Sequence, residues 1–389
     1  MLALWSTFAC TPDVRPLYEE ERARALAVAT DAPTKWEPDL VIGIGEAALG
    51  HAVDAAGTAA LERNASKLQV ELPLGAAAEL KPVLRVTKAE LGPGQGCESC
   101  LHFDLDIKGD VKWSLGTLGG TFPLAVAAGG QLEIVVVGGT QVVARPFKVG
   151  KVEVSGGDFG ALRVNPSSVL QDYVRAAVGE ALPPIPLVDL GQAGLPLRLV
   201  RVRNGKDAVR IEALTDVPGA APAVVPDPGR EGILVGISQT AATGLLRRAA
   251  FLRGPQEYQV AVDPKALRVD GDHFALDLRV WRLEGNGWWR DYDVQGTLAV
   301  EEGKLRLKTD ERLVKQVDAS PGAGLADPIA ALLETKLLEV IAEQLTRTLP
   351  AARREEIAGV GLRAVANRSL GAGDTLLFGG ELKVVRAKD

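Results

Sequence analysis

Histidine and cysteine side chains carry much of protein chemistry, and this chain has three of each. His102 and His273 open two similar segments, His-Phe-Asp-Leu-Asp at 102–106 and His-Phe-Ala-Leu-Asp at 273–277. Both lie on the polar side of an alternating pattern, so their repetition indicates a shared structural position and not a unique catalytic base. The third histidine is His51. Because no nucleophile elbow, phosphate loop or metal-ligand spacing occurs, we expect a protein that is not an enzyme, with no metal and no cofactor.

The pair Cys97-Glu-Ser-Cys100 follows a glycine-rich loop at 92–96. These two cysteines and the nearby His102 do not supply the four ligands of a structural zinc site. The loop also lacks the strand-to-helix setting of a thioredoxin-like redox motif. In an exported protein we expect the two thiols to form a disulfide that clamps the loop. A pair of free thiols is the alternative, and a redox module built on them is a third hypothesis.

The first ten residues, Met1 to Cys10, are mostly apolar and are followed by polar residues. This pattern is typical of the end of a secretory signal, although the basic n-region is missing. Cys10 is therefore a candidate site of lipidation in a bacterial lipoprotein, even though Thr7 stands where that motif usually has leucine. The alternative is an ordinary cytosolic N-terminus. We expect residues 1–36 to be a signal remnant and tether, with a short exposed helix at 18–26.

Length and charge narrow the class of protein. A chain of 389 residues is too long for one ordinary core, which predicts two domains. A net charge of −6 gives no basic field for a nucleic acid, so we expect no nucleic-acid partner. No run of about 18 apolar residues occurs, so the sequence predicts no transmembrane helix.

One stretch occurs twice, as Leu-Val-Ile-Gly-Ile-Gly-Glu-Ala-Ala-Leu at 40–49 and as Ile-Leu-Val-Gly-Ile-Ser-Gln-Thr-Ala-Ala at 233–242. Each copy predicts a short strand that leads through glycine into a helix. Similar elements follow both copies, so we expect a first module at 37–214, a Pro-rich extended linker at 215–231 and a second module at 232–389.

The elements within each predicted module follow one order. The first helix, to about Arg63, carries a stripe of small apolar residues that either packs closely on a sheet or leaves room for a ligand. Strands are predicted at 101–108, 122–128, 132–137 and 141–146, with Gly129-Gly130 and Gly138-Gly139 as hairpin turns. A later helix begins at Asn165-Pro166 in the first module, and its counterpart spans 327–349 in the second.

This order of elements resembles the tubular lipid-binding superfamily, which includes the bactericidal/permeability-increasing proteins. The resemblance rests on the 40–49 stretch, the 101–108 strand and the helix from Pro166, and it covers about 37–387. It implies an α+β fold of two tandem modules, each a highly curved antiparallel sheet wrapped around a long helix, in an elongated pseudo-twofold molecule. An apolar tube between helix and sheet would hold acyl chains. On the apolar helix faces, the residues expected to line these tubes are Ala48, Val53, Ala56, Ala60, Leu170, Val174, Val178, Leu245, Leu252, Leu333, Leu337 and Ile341.

Two adjacent tryptophans, Trp288 and Trp289, follow a hairpin tip at 284–287. Neighbouring strand residues point to opposite faces, so the two rings cannot enter one core unless the strand twists or bulges. One interpretation places one ring in the tube and the other over the helix. The alternative places one ring at a membrane surface, where tryptophan is favoured.

Together these features predict a non-enzymatic protein that binds or transfers lipid in the bacterial cell envelope. The expected ligand is a phospholipid, a fatty acid or a lipopolysaccharide-like lipid, and the expected state is an exported monomer in the periplasm or at the outer membrane. The alternative is a structural or adaptor protein that keeps the fold and fills its tubes with side chains. Residue size separates the two hypotheses, because alanines dominate the first helix whereas leucine and isoleucine dominate 329–349.

Overall fold

The computed structural model describes residues 13–65, 67–71, 77–94, 96–155, 166–179, 184–191, 195–205, 207–255, 259–301, 304–320, 354–357 and 360–386. The helices in these ranges are α1 (Arg15–Leu26), α2 (Glu46–Arg63), α3 (Ser167–Gly179) and α4 (Gln239–Arg253). The first nine strands are β1 (Leu40–Gly45), β2 (Leu68–Glu71), β3 (Ala77–Pro93), β4 (Cys100–Leu115), β5 (Leu118–Val137), β6 (Gln141–Ser155), β7 (Ile185–Asp189), β8 (Leu197–Asn204) and β9 (Ala208–Thr215). The other strands are β10 (Gly232–Ser238), β11 (Val260–Asp270), β12 (His273–Arg282), β13 (Trp288–Glu301), β14 (Lys304–Ala319), β15 (Arg354–Ile357), β16 (Val360–Ala372) and β17 (Thr375–Arg386).

These strands form antiparallel sheets, and the α+β class expected from the sequence is confirmed. One sheet has the order β2-β3-β4-β5-β6-β7, and another has the order β11-β12-β13-β14. A central sheet has the order β15-β16-β17-β10-β1-β9-β8. One apolar cluster includes residues from all three sheets and from α2, α3 and α4.

The two copies of the duplicated stretch lie side by side at the centre of the molecule. Strands β1 and β10 pair antiparallel, with Leu40 opposite Ile237 and Ile44 opposite Ile233. This register places each strand's glycine beside a residue of the other copy, since Gly43 faces Leu234 and Gly236 faces Val41 across the pair.

Both faces of β1 are covered, and all six of its residues are buried. Leu40, Ile42 and Ile44 belong to the large apolar cluster, whereas Val41 packs against Val225 and Leu377 on the other face. The second face is covered by the Pro-rich segment at 216–231, which forms neither helix nor strand. Successive residues of a strand point to opposite faces, so the short strand β1 contributes side chains to two apolar clusters.

The glycines of β1 and β10 let the Pro-rich segment lie against the sheet. A Cβ atom at Gly236 would come within 2.2 Å of a Val225 methyl carbon, and one at Gly43 would come within 3.0 Å of the Pro228 ring. The repeated glycine therefore marks a close approach of backbone and side chain, which the sequence pattern alone did not indicate.

The prediction of a turn at Gly129-Gly130 is wrong. Both residues lie inside β5, which joins the two strands predicted at 122–128 and 132–137. Gly130 is needed because a Cβ atom there would lie 2.5 Å from both the Phe103 ring and the Lys148 carbonyl oxygen. Gly138-Gly139 does form the predicted turn, with φ of 60° and 80°, as hairpin turns require.

The prediction of an exposed N-terminal helix is also wrong in part. Helix α1 packs on α4 and β12, and Tyr18 is only 2% exposed. Its ring lies 5.5 Å from that of Phe251 and 5.7 Å from that of Trp281. Sequence reasoning missed this because one aromatic residue among many charged ones gives no helical stripe. The helix predicted at 327–349 lies outside the described residues.

Candidate functional site

Helix α2 is packed directly against β3, and most of its small residues are buried. Ala56 and Ala60 are 1% and 0% exposed, and Ala48 and Val53 are buried as well. A Cβ atom at Gly57 would come within 2.9 Å of a Val86 methyl carbon. Gly57 therefore allows a close approach of helix and strand.

A hydrogen bond fixes α2 to an irregularity in β3. The pairing of β3 with β4 shifts between Val86 and Lys88, so one backbone donor falls out of the regular ladder. Thr58 on α2 accepts that bond from the Val86 backbone nitrogen at 3.1 Å. A threonine within an otherwise apolar stripe was the sequence signal for this contact.

Helix α3 presents an aliphatic face to the interior. Leu170, Val174 and Val178 are each 0% exposed, and the helix lies against β6 and α2. Tyr173 on the same face donates its hydroxyl to the Leu61 carbonyl oxygen on α2 at 2.9 Å. Burial raises the pKa of Tyr173 to about 12, so the phenol stays protonated as the donor.

Helix α4 carries the two remaining candidate residues that the structure describes. Leu245 is buried in the large cluster, but Leu252 is 69% exposed, so the prediction that it lines an interior tube is wrong. In the last turn of α4 the inward position belongs to Phe251, which packs on Tyr18 and Trp281. At the end of this helix the buried residue is therefore Phe251 and not Leu252.

The structure brings most of the predicted lining residues into one connected apolar cluster: Ala48, Val53, Ala56, Ala60, Leu170, Val174, Val178 and Leu245. Leu333, Leu337 and Ile341 lie outside the described residues. Whether any of these positions contacts lipid stays a prediction.

Trp288 and Trp289 are both half-buried, on opposite sides of β13. Trp288 packs against the large cluster, and Trp289 against the cluster of Tyr18, Phe251 and Trp281. The Arg279 guanidinium lies 3.8 Å from the Trp289 ring centre and pairs with Asp291 through contacts of 2.6 and 2.7 Å. Both rings are therefore held by contacts within the protein. Contact of either ring with a membrane stays a prediction.

An ion-pair network joins α1 to α4 and β11. Arg247 bonds to Asp263 at 2.5 and 2.9 Å and also to Glu21. Burial raises the pKa of the Asp263 carboxyl, and Arg247 opposes that shift. Since removing one member would leave a buried charge unpaired, the network fixes where α1 docks.

Cys97 and Cys100 are bonded as a disulfide, with their Cα atoms 5.3 Å apart. The loop between them is held by Asn204, whose side-chain nitrogen donates to the Cys100 carbonyl oxygen at 2.5 Å. Cys10 lies outside the described residues.

His102 and His273 are exposed on the sheet surfaces that face away from the large cluster. His102 pairs with Asp104 at 3.2 Å, and His273 pairs with Asp272 at 2.8 Å. His51 lies on α2 near Glu231, at 3.7 Å. In the described ranges no group of three or more potential metal ligands occurs. None of the described helices is long and apolar enough to cross a membrane.

The geometry defines an α+β protein whose helices pack apolar faces onto long antiparallel sheets. No family model matches the sequence, and no curated protein matches it either. Among solved structures, the crystal structure of lipopolysaccharide binding protein is similar over 90% of this chain and 100% of that chain, at 13% identity and a TM-score of 0.43. A likeness this distant does not specify a ligand.

Proposed function

We propose that the protein binds lipid without transforming it, and that acyl chains lie between its helices and its sheets. The observation that carries the proposal is the interior face of α3, where Leu170, Val174 and Val178 meet the inner side of a sheet. Such a wall offers an acyl chain only apolar contacts, worth roughly 0.8 kcal/mol for each buried methylene. The single polar group on this face, the Tyr173 hydroxyl, is already bonded to Leu61.

The proposal extends to two tandem modules, at 37–214 and 232–389, related by a pseudo-twofold axis in an elongated molecule. It is supported by the antiparallel pairing of β1 with β10, and by the equivalent strands that begin near His102 and at His273. In the second module the lipid would contact Leu333, Leu337 and Ile341. We further propose an exported monomer in the bacterial envelope that carries lipid and that is anchored through Cys10.

A structural or adaptor role is the second candidate, and one observation favours it. The face of α2 that could have left space is filled by β3, with Gly50 and Gly57 in contact with the Ala89 carbonyl oxygen and the Val86 side chain. If the rest of the interior is equally full, the protein keeps the fold and takes up no ligand. The binding proposal therefore concerns the aliphatic face of α3, which is closely packed as well and has to part from β6 to admit an acyl chain.

Organic extraction of the purified protein, followed by mass spectrometry, tests the proposal. We expect copurifying lipid, and uptake of a fluorescent fatty acid by delipidated protein. Val174→Phe should fill the space between α3 and the sheet and reduce uptake at least tenfold, whereas Ala176→Phe, on the exposed side of α3, should not. Circular dichroism and thermal melting confirm that both variants fold. A folded wild-type protein that contains no lipid and takes up none would favour the adaptor.

A further inference from the structure

Two concavities lie at matching places on the outer surfaces of the two helix-covered sheets. One, of about 380 Å³, is on β4, β5 and β6 and includes His102, Gln131 and Lys148. The other, of about 900 Å³, is on β12, β13 and β14, extends to the β16–β17 turn, and includes His273 and Lys308.

The same packing creates both concavities. On β5, a Cβ atom at Gly130 would lie 2.5 Å from the Phe103 ring and 2.5 Å from the Lys148 carbonyl oxygen. On β13, a Cβ atom at Gly296 would lie 2.7 Å from the Phe274 ring and 2.2 Å from the Lys308 carbonyl oxygen. The pairing of β5 with β6 also shifts register at Gly130, and that of β13 with β14 shifts at Gly296. In both sheets a buried phenylalanine thus packs against a glycine next to a bulge, where a strand bends.

Each concavity carries the same row of polar side chains. The strand registers align His102 with Gln131 and then Lys148. In the other sheet they align His273 with Thr297 and then Lys308. Neighbouring strands are about 4.8 Å apart, so imidazole and ammonium stand roughly 10 Å apart with a neutral hydrogen-bonding group between them. Within the described part of the chain, the exposed Lys148 ammonium has no ion-pair partner.

Carboxylates border both rows. The first concavity also includes Asp104, Asp106 and the ion pair of Lys151 with Glu153. The second includes Arg268, which pairs with Asp277, as well as Asp270 and Asp374. A simple anion would be repelled by these carboxylates, whereas a ligand with separated positive and negative groups would complement both signs.

We propose that each concavity binds a zwitterionic group in which a phosphate is linked to an ammonium. The phosphate accepts hydrogen bonds from the lysine and from the adjacent Gln131 or Thr297, and the ammonium faces the neighbouring carboxylates. This inference is separate from acyl binding, because the histidine and the lysine of each row are exposed. The same chemistry occurs in soluble phosphodiesters and in lipid headgroups.

Calorimetric titration with glycerophosphoethanolamine tests the inference without an acyl chain. We expect two sites on the wild-type protein. Lys148→Ala should weaken one of them and Lys308→Ala the other, each by about tenfold, as loss of a charged hydrogen bond predicts. The matched controls Lys112→Ala and Lys315→Ala remove exposed lysines of the same two sheets, and they should change neither site.

Cosedimentation with phosphatidylethanolamine vesicles distinguishes the two sources. Binding of the soluble compound alone indicates a free phosphodiester, and binding of vesicles that both lysine variants weaken indicates a lipid headgroup. Either result supports the inference. It is overturned if neither probe binds, or if binding is equally strong in the lysine variants and in their controls. Fatty-acid uptake measured on the same variants reports on the proposed function separately.

Discussion

The Tyr173 hydroxyl on α3 donates to the Leu61 carbonyl oxygen near the end of α2, across 2.9 Å. The last carbonyls of a helix lack intrahelical partners, and here the Ala65 nitrogen, four residues on, donates to the Glu62 oxygen instead. Tyr173 therefore satisfies a buried helix-end acceptor and links the two helices inside the first sheet.

Tyr173→Phe should destabilise the protein by about 1–3 kcal/mol, because a buried carbonyl is left without a donor. Tyr18→Phe is the matched control. Tyr18 is equally buried, but its hydroxyl has no hydrogen-bond partner in the described structure, so its removal should leave stability unchanged or slightly higher. Urea unfolding of both variants measures the difference. Equal losses for the two would show that the hydroxyl on α3 contributes nothing specific.

Gly45→Ala should cost about 1–3 kcal/mol or more, as overpacking does. A Cβ atom there would lie 2.2 Å from the Arg230 carbonyl oxygen. That oxygen accepts the backbone N–H groups of Ala47 and Ala48 in the first turn of α2, so displacing it also uncaps the helix.

Gly92→Ala is the control for Gly45→Ala, because no atom lies within 4 Å of its added methyl group. Thermal unfolding should separate the two variants by about 1–2 °C for each kcal/mol in a chain of this length. A Gly45→Ala protein as stable as Gly92→Ala would contradict the assigned role of the Pro-rich segment.

The sequence pattern predicted helices and strands correctly where neighbouring residues determine them. The alternation from Leu101 to Lys108 became β4, with its apolar residues buried and its polar ones exposed. The duplicated stretch correctly gave a strand followed by a helix in both places. These predictions succeeded because the hydrophobic periodicity and the turn-forming residues are properties of consecutive positions in the sequence.

Features that depend on distant partners were missed. The pairing of β1 with β10 joins residues nearly 200 positions apart, and the need for Gly130 comes from Phe103 on another strand. Of the candidate lining residues, the small ones of α2 were correctly placed inside, but their size could not reveal whether a strand or a ligand fills the space. The prediction for Leu252 failed because the last turn of α4 directs Phe251, and not its neighbour, onto β11 and β12.

Replacing Cys97 and Cys100 by serine together should cost at most about 2 kcal/mol, because a disulfide that closes so short a loop removes little entropy from the unfolded chain. The backbone bond from Gly94 to the Cys100 carbonyl, at 2.8 Å, should preserve the loop. Intact-mass measurement of the native protein should show both thiols protected from iodoacetamide until a reductant is added. Because Cys10 is a third cysteine, alkylation of more than one cysteine without reductant would show that these two thiols are free.

The contact between Asp39 and Thr215 allows a test of how a buried carboxylate charge affects the stability of the fold. Asp39 is 2% exposed and accepts bonds from the Thr215 backbone nitrogen at 2.8 Å and hydroxyl at 2.6 Å. Burial raises the pKa of Asp39 above its ordinary 3.8, and the bonds from Thr215 only partly offset that shift. The folded protein thus holds the proton more tightly than the unfolded chain, and ionisation of Asp39 lowers stability as pH rises through and above 3.8.

Asp39→Asn keeps both contacts if its amide donates to the Thr215 hydroxyl, and it removes the charge. We expect it to be as stable as the wild type or more stable at pH 7, with the difference shrinking as pH falls toward 3.8. Asp39→Ala leaves the Thr215 backbone donor unsatisfied and should cost about 1–3 kcal/mol at either pH. Urea unfolding at pH 7 and pH 4 measures all three proteins. An Asn variant that is less stable at pH 7 and recovers on acidification would mean that the carboxylate charge stabilises the fold, because a raised pKa requires the opposite sign.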